Sequence, residues 1–310
     1  MTQIIKDLPH LPARPQNSHK GMYGKVLVIA GSRTMIGAPA LTANAALRAG
    51  AGLVQVATPT SVHVSVAVIT PCATSLPLPE DAQGQLATVA LREILPILPN
   101  YQAIALGPGL GKSQQLQTLV TQILKEAAAP VIIDADGLNN LAQGARGQGL
   151  KLPSSTILTP HPGEFGRLWG AVSRKPMPDN RLEQAATLSR ACGAIVVLKG
   201  HETVVTDGAR TYVNTTGNAG LATGGAGDVL TGIIAALAAR QGGGEAKSSS
   251  DKDLGARDLS PFDAAVLGTY IHGLAGDLAA QVLGQTALMA WDLLDYLPQA
   301  WQQYERTTAR

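Results

Sequence analysis

The sequence is poor in cysteine. Cys72 and Cys192 are its only two, they lie far apart, and neither has a CxxC or Cys/His neighbour. A disulfide framework or a zinc site is therefore not expected, and buried thiols in a reducing compartment are. Long apolar runs are also missing. Stretches such as Ile233 to Ala239 fall far short of the roughly 20 residues a bilayer requires. Met1 to Gln16 carries Lys6, Asp7, Arg14 and three prolines but no apolar core, so no secretory signal is expected and the cytoplasm is the default location. The formal charge is only +2, from 24 basic and 22 acidic residues, and no basic run or basic-aromatic stripe stands out. Nucleic acid and anionic membranes are poor candidates as main partners. There is no internal repeat and no Ser/His/Asp set with nucleophile-elbow spacing, since Gly31-Ser32-Arg33 does not fit it.

What is present is a chain of 310 residues, 45% hydrophobic, ample for a sizeable core. Residues 1–20 are Pro-rich and polar and read as an extended N-terminal arm. From Lys25 onward, short apolar runs alternate with helical patterns. Lys25–Ala30, Leu53–Ala57, Ala103–Leu106, Val131–Asp134, Thr156–Leu158 and Ala194–Leu198 are nearly continuous apolar strands, as expected when both faces are covered. Ala38–Arg48, Leu86–Leu95, Ser113–Lys125 and Arg181–Ala191 are helix candidates, with Gly50 and Gly193 at C-cap positions. This repetition predicts an α/β fold with a mainly parallel central sheet and helices on both faces. A hairpin is expected around Asp207-Gly208, followed by two buried apolar helices, Asp228–Arg240 and Phe262–Leu283. Gln241–Leu259 has seven charges in 19 residues with three consecutive glycines and three consecutive serines, and is expected to be a flexible surface loop within a single domain spanning 21–310.

The richest stretch runs from Asn214 to Gly232. It holds five glycines between Gly217 and Gly227 and then opens into an apolar helix. Glycines let backbone approach a ligand closely, and a helix N-terminus aims free N–H groups and positive dipole at an anion. Asp228 stands at that helix start. It could be a simple N-cap, but the small residues Gly224, Gly225, Ala226 and Gly227 before it exceed what capping requires, and a carboxylate beside a phosphate cradle suits a general base acting on a hydroxyl. Two familiar phosphate motifs fail on spacing. Gly225-Ala-Gly227 begins a dinucleotide fingerprint, but Leu230 occupies its third glycine position; Gly107-Pro-Gly-Leu-Gly-Lys-Ser113 is one residue short of a Walker loop. The latter still reads as a strand-to-helix turn lining a ligand.

Three further strand ends carry functional side chains. Thr159-Pro-His-Pro-Gly-Glu-Phe165 either forms a rigid turn or presents His161 to a ligand. Lys199-Gly-His-Glu-Thr203 either is a solvated turn or brings Lys199 to a nucleotide phosphate. Asp134-Ala-Asp-Gly-Leu-Asn139 could orient substrate, reach a metal through water, or cap the next helix. His19, His63 and His272 belong to no evident constellation and read as structural.

Taken together, the stretches Tyr23–Ser32, Gly37–Pro39, Ala45–Val54, Gly107–Gly111, Asp134–Asn139, Thr159–Glu164, Lys199–Thr203 and Gly217–Gly232 resemble the ADP-dependent NAD(P)H-hydrate dehydratases of the ribokinase-like superfamily. The resemblance runs from about Gly21 to the C-terminus. The G-G-x-G-D loop is shared with many ribokinase-like kinases; the P-H-P-G-E and K-G-H-E-T segments are far more specific. It implies a ribokinase-like three-layer sandwich and repair of hydrated NADH and NADPH. ADP phosphorylates the ring hydroxyl, phosphate leaves, and AMP is the second product. By position, Ala38, Gly109, His161 and Asp228 would contact the hydrated dinucleotide. Lys199, Gly200, His201, Glu202, Thr203 and Gly227 would contact the adenine nucleotide, and the amides of Gly225, Ala226 and Gly227 would hold phosphate charge. Mg²⁺ would assist, held mainly by phosphates, and ATP could replace ADP. The family implies a homo-oligomer. Many relatives are fused to an N-terminal epimerase half, so functional pairing with an NAD(P)HX epimerase is expected, whether the chain stands alone or is half of a fused one. A small-molecule kinase such as a hydroxyethylthiazole kinase would share the glycine loop and Asp228 but lack the other two motifs, and a regulator without turnover would lack the aspartate.

Overall fold

The computed structural model describes residues 2–146, 149–240 and 259–308. In chain order its strands and helices are β1 (Gln3–Ile5), β2 (Lys25–Ile29), α1 (Gly37–Arg48), β3 (Leu53–Pro59), α2 (His63–Ile69), β4 (Thr74–Leu78), α3 (Leu91–Ile94), β5 (Ala103–Leu106), α4 (Gln114–Glu126), β6 (Val131–Ile133), α5 (Asp136–Gly144), β7 (Ile157–Leu158), α6 (Pro162–Val172), α7 (Arg181–Cys192), β8 (Ile195–Leu198), β9 (Val204–Thr206), β10 (Arg210–Val213), α8 (Ala226–Ala238), α9 (Pro261–Leu283) and α10 (Ala290–Thr308).

All ten strands join one sheet in the order β1-β10-β9-β8-β7-β6-β5-β2-β3-β4. Only β9 runs antiparallel to its neighbours. Successive residues of β2 feed opposite faces. Val26 and Val28 pack into a core with α1, α8, α9 and α10, while Leu27 and Ile29 pack into a second core with α4 to α7. That double coverage is why the strand reads as an unbroken apolar run. The helix layer containing α1 and α8 is unusually close. A Cβ on Gly232 would stand 2.1 Å from the Thr42 carbonyl, so only glycine permits this approach.

Between β2 and β5 the strand order reverses: β3 and β4 follow on one side, β6 to β8 on the other. In open α/β sheets such a switch point leaves a crevice at the carboxyl ends of the strands. Here the loops leaving β2 and β5 meet directly, the Gly31 N–H donating to the Pro108 carbonyl at 2.8 Å.

Several sequence expectations shift. The helix expected over Leu86–Leu95 is instead a succession of 3₁₀ turns around the single α-turn α3, because Pro96 and Pro99 cannot donate to an α ladder. The N-terminal arm is not merely extended: β1 adds a parallel edge strand beside β10. The hydroxyl of Tyr304 on α10 then anchors the arm, accepting from the Leu11 N–H at 3.0 Å and donating to the Pro9 carbonyl. Helices α2 and α10 and strand β4 were not anticipated. Residues 241–258 of the expected loop lie outside the described residues, while Leu259 at its end is buried in the core.

Candidate active site

The candidate site lies on the carboxyl ends of β2, β5, β6, β7 and β8, under the N-terminus of α8. Its centre is Asp134, which follows β6 and is 1% exposed. One carboxylate oxygen accepts from Lys199 Nζ at 2.6 Å and from Thr159 Oγ1 at 2.8 Å; the other accepts from Thr231 Oγ1 of α8 at 3.0 Å. Three strand ends and a helix are thereby joined at one buried charge. Burial alone would lower the Lys199 pKa, but Asp134 and Glu164 outweigh it and hold the ammonium above its usual value. The ammonium is aimed at the helix end: a Cβ on Gly227 would lie 3.1 Å from Lys199 Nζ.

Asp228 is not the N-cap. That position belongs to Gly225, whose φ of 92° favours glycine, and Asp228 is the third residue of α8. Its carboxyl is pushed up to about 7, first by burial and next by the Asp134 charge, with Lys199 opposing. A helix N-terminus alone would lower it; here desolvation and like charge prevail. Asp228 therefore exchanges its proton near neutrality, the range suited to a general base.

Two loops flank this centre. In Thr159–Phe165, His161 caps α6 by accepting from the Gly163 N–H through Nδ1 at 3.0 Å, and Glu164 reaches back to accept from the His161 N–H at 2.9 Å. The turn is therefore rigid, and the half-exposed imidazole also sets its Nε2 3.3 Å from Glu164 Oε1. Burial and the Lys199 charge lower the His161 pKa, so the ring is neutral at pH 7. Burial raises Glu164 to about 7, with Lys199 opposing. In Lys199–Thr203 the lysine turns inward while Gly200, His201 and Glu202 are exposed.

On the other flank, Gly109 and Ala38 come together. A Cβ on Gly109 would lie 3.0 Å from that of Ala38 and 2.8 Å from that of Met35. Asp136 secures this loop by accepting from the Gly111 N–H at 3.0 Å, and Asn140 donates to the Gly111 carbonyl at 2.8 Å. The Asp134-Ala-Asp segment divides its work: Asp134 faces the lysine, Asp136 the glycine turn. Ala135 between them has φ 50° and ψ −119°, a conformation strained for any residue with a Cβ.

Sequence reading missed several supports. Arg181 at the start of α7 clasps the lysine loop, Nη1 donating to the His201 carbonyl and Nη2 to those of Leu198 and Lys199 at 3.1 and 3.2 Å. Nothing local marks it. Asp277 accepts from the Gly217 N–H at 2.8 Å and from Asn218 Nδ2 at 2.9 Å, anchoring the start of the glycine loop. Its position in the otherwise apolar α9 was a usable signal. His272 donates from Nε2 to the Ala226 carbonyl at 2.9 Å, and burial lowers its pKa to about 4. It is a neutral strut beneath the glycine loop. Among the described residues no group of three or more His, Cys, Asp and Glu is placed to hold a metal.

The sheet order and helical layers define the class as ribokinase-like α/β. A solved ribokinase-like superfamily protein of Enterococcus faecalis superposes with a TM-score of 0.76 at 26% identity, covering 95% of this chain and 92% of that one. Within that class, the family model for NAD(P)H-hydrate dehydratase matches residues 26–299, and the chain belongs to that family. The bifunctional NAD(P)H-hydrate repair enzyme of Moorella thermoacetica is 44% identical over 293 residues, covering 93% of this chain and 51% of the relative. The chain thus spans about half the length of such curated relatives. The ADP-dependent (S)-NAD(P)H-hydrate dehydratase of Bacillus subtilis is 34% identical over 297 residues, covering 95% of both chains. A Bacillus subtilis ADP/ATP-dependent NAD(P)H-hydrate dehydratase co-crystallised with ATP and Mg²⁺ superposes with a TM-score of 0.74 at 31% identity, covering 95% of each chain.

Proposed function

We propose that this chain dehydrates the S form of hydrated NADH and NADPH at the expense of ADP, yielding NAD(P)H, AMP and phosphate. The observation that carries this reading is Asp228, with a pKa near 7, in the first turn of α8 beside the Lys199–Asp134 pair. The hydrated ring lies against Ala38 and Gly109, with His161 at its edge. ADP lies along Lys199–Thr203 and Gly227.

Asp228 takes the proton of the ring hydroxyl as that oxygen attacks the terminal phosphorus of ADP. An O–P bond forms, the bridging P–O bond breaks, and AMP leaves. The amides of Gly225 to Gly227 and the Lys199 ammonium stabilise the charge on the transferred phosphoryl group. The ring C–O bond then breaks, phosphate departs with the electron pair, and the adjacent ring carbon loses a proton to restore the double bond.

Mg²⁺, which neutralises phosphate charge when bound, fits a site of this kind: it commonly uses one or two carboxylates and otherwise phosphate and water oxygens. Asp136, whose charge acts on Asp228, would supply a carboxylate beside it. Residues 21–310 act as one catalytic domain, in the cytoplasm, as a homo-oligomer, paired with an epimerase that supplies the S form.

Absorbance at 340 nm, with hydrated NADH, Mg²⁺ and either ADP or ATP, tests the reading. A rise with ADP is expected. A rise with ATP alone would change the donor; no rise with either, from folded protein that binds adenine nucleotide, would favour a small-molecule kinase.

A further inference from the structure

A second cavity of about 540 Å³ lies at the opposite end of α8 and α1, away from the strand ends that build the site above. Arg14, Arg48 and Arg240 line it together with Trp301 and Glu305. Two of these guanidiniums converge: around the point where a Cβ on Gly50 would sit, Arg14 Nη2 is 2.5 Å away and Arg240 Nη1 4.0 Å. Both also bear on one aromatic ring, with Arg14 Cζ 3.8 Å and Arg240 Cζ 5.4 Å from the centroid of Tyr23. Arg14 is further fixed by donating to the Gly50 carbonyl at 2.7 Å.

Among the described residues, no carboxylate forms an ion pair with any of the three arginines. The C-termini of α1 and α8 offset roughly half a charge each, and Glu305 one more, so among the described residues positive charge remains in excess. Trp301 lines the same cavity, and its buried indole N–H has no partner among the described residues. Preassembled, mutually repelling guanidiniums beside an aromatic surface are what a phosphorylated ligand is bound by. At ~1.5 Å per residue, the rise from Asp228 along α8 to Arg240 just past its end puts this cavity roughly 18 Å from Asp228.

We infer that this cavity is a second anion site, distinct from the catalytic phosphate cradle, that binds a small molecule bearing a phosphate or pyrophosphate group. Arg14 and Arg240 hold the anion, Arg48 adds charge at the rim, and Trp301 faces the remainder of the ligand. The site does not depend on the reaction proposed above.

Inorganic pyrophosphate is the probe, titrated calorimetrically into the full chain without Mg²⁺. The wild type is expected to show two sites. Arg14→Ala/Arg240→Ala should weaken one of them by about tenfold or more and leave the other unchanged. Arg48 and Glu305 are exposed, so their variants retain the fold even if the double variant does not. Arg48→Gln should weaken the same site by about threefold, and Glu305→Gln should tighten it by about twofold, the opposite sign. Superimposable isotherms for wild type and all three variants would overturn the inference. So would weakening by Glu305→Gln.

Discussion

At the first turn of α8, Asp228 shares its surroundings with Asp134, Glu164 and Lys199; just past its last turn, Arg240 shares its own with Arg14 and Tyr23. Each end thus crowds like charges together. At the N-terminal end the crowding is relieved by protonation, since burial and mutual repulsion raise two carboxyls to about 7. At the C-terminal end it cannot be, because guanidinium does not deprotonate in the working range. Burial and the Arg14 charge lower the Arg240 pKa, but the group stays charged. The same helix therefore carries a proton-exchanging centre at one end and a fixed cationic cavity at the other.

The largest effect should follow removal of the exchanging proton. Asp228→Asn is expected to lower kcat by about 10²–10⁴-fold, the usual range for a general base, while nucleotide affinity stays within a few-fold. Single-turnover kinetics with bound nucleotide checks it, and a near wild-type rate would remove Asp228 from the chemistry. Next comes Lys199→Met. It leaves Asp134 buried without its cation, a loss of about 3–5 kcal/mol in such cases, and should weaken ADP binding together with stability. Denaturant unfolding and ADP titration measure the two effects separately.

The pH dependence tests the same end more finely. The Asp228 carboxyl has a folded pKa near 7 against an ordinary value of 3.8, so the folded state binds the extra proton between those values. Stability is then lost as pH rises through that window, from about 4 to 7, and the loss is complete above 7. Asp228→Asn should therefore melt higher than wild type at pH 8, by about 2–4 °C per kcal/mol relieved, with the gap closing toward pH 4. A gap independent of pH would contradict the raised carboxyl. In the wild type, kcat/KM should rise with pH toward a plateau above about 7, as Asp228 ionises.

The smallest expected change is at Ala135. Replacing it with glycine relieves its positive φ but loosens the unfolded chain, for a net stabilisation of about 0.5–1 kcal/mol with activity retained. Chemical denaturation would detect it, and destabilisation instead would mean that Ala135 is unstrained.

Much of the frame was legible in the sequence because it rests on local periodicity. Strand β2 is buried on both faces and reads as such, Gly193 adopts the left-handed C-cap expected of it at φ 83°, and the hairpin around Asp207-Gly208 forms. The glycine loop and Asp228 were visible for the same reason: a turn, a cap and a helix start are consecutive in the chain. The shift of the cap from Asp228 to Gly225 was not, since three residues decide it and several small ones compete.

What the sequence by itself determined is therefore the alternation of strands and helices, the glycine-rich helix start, and the residue types waiting at each strand end. Tertiary structure alone decided that Asp134, 65 residues before Lys199 and 97 before Thr231, receives both. It alone placed Arg181 over the lysine loop and gathered Arg14, Arg48 and Arg240 around one cavity. The physical reason is separation. Hydrogen-bond partners dozens of residues apart leave no periodic trace, and a carboxyl's proton affinity depends on burial and neighbouring charges that exist only once the sheet has formed.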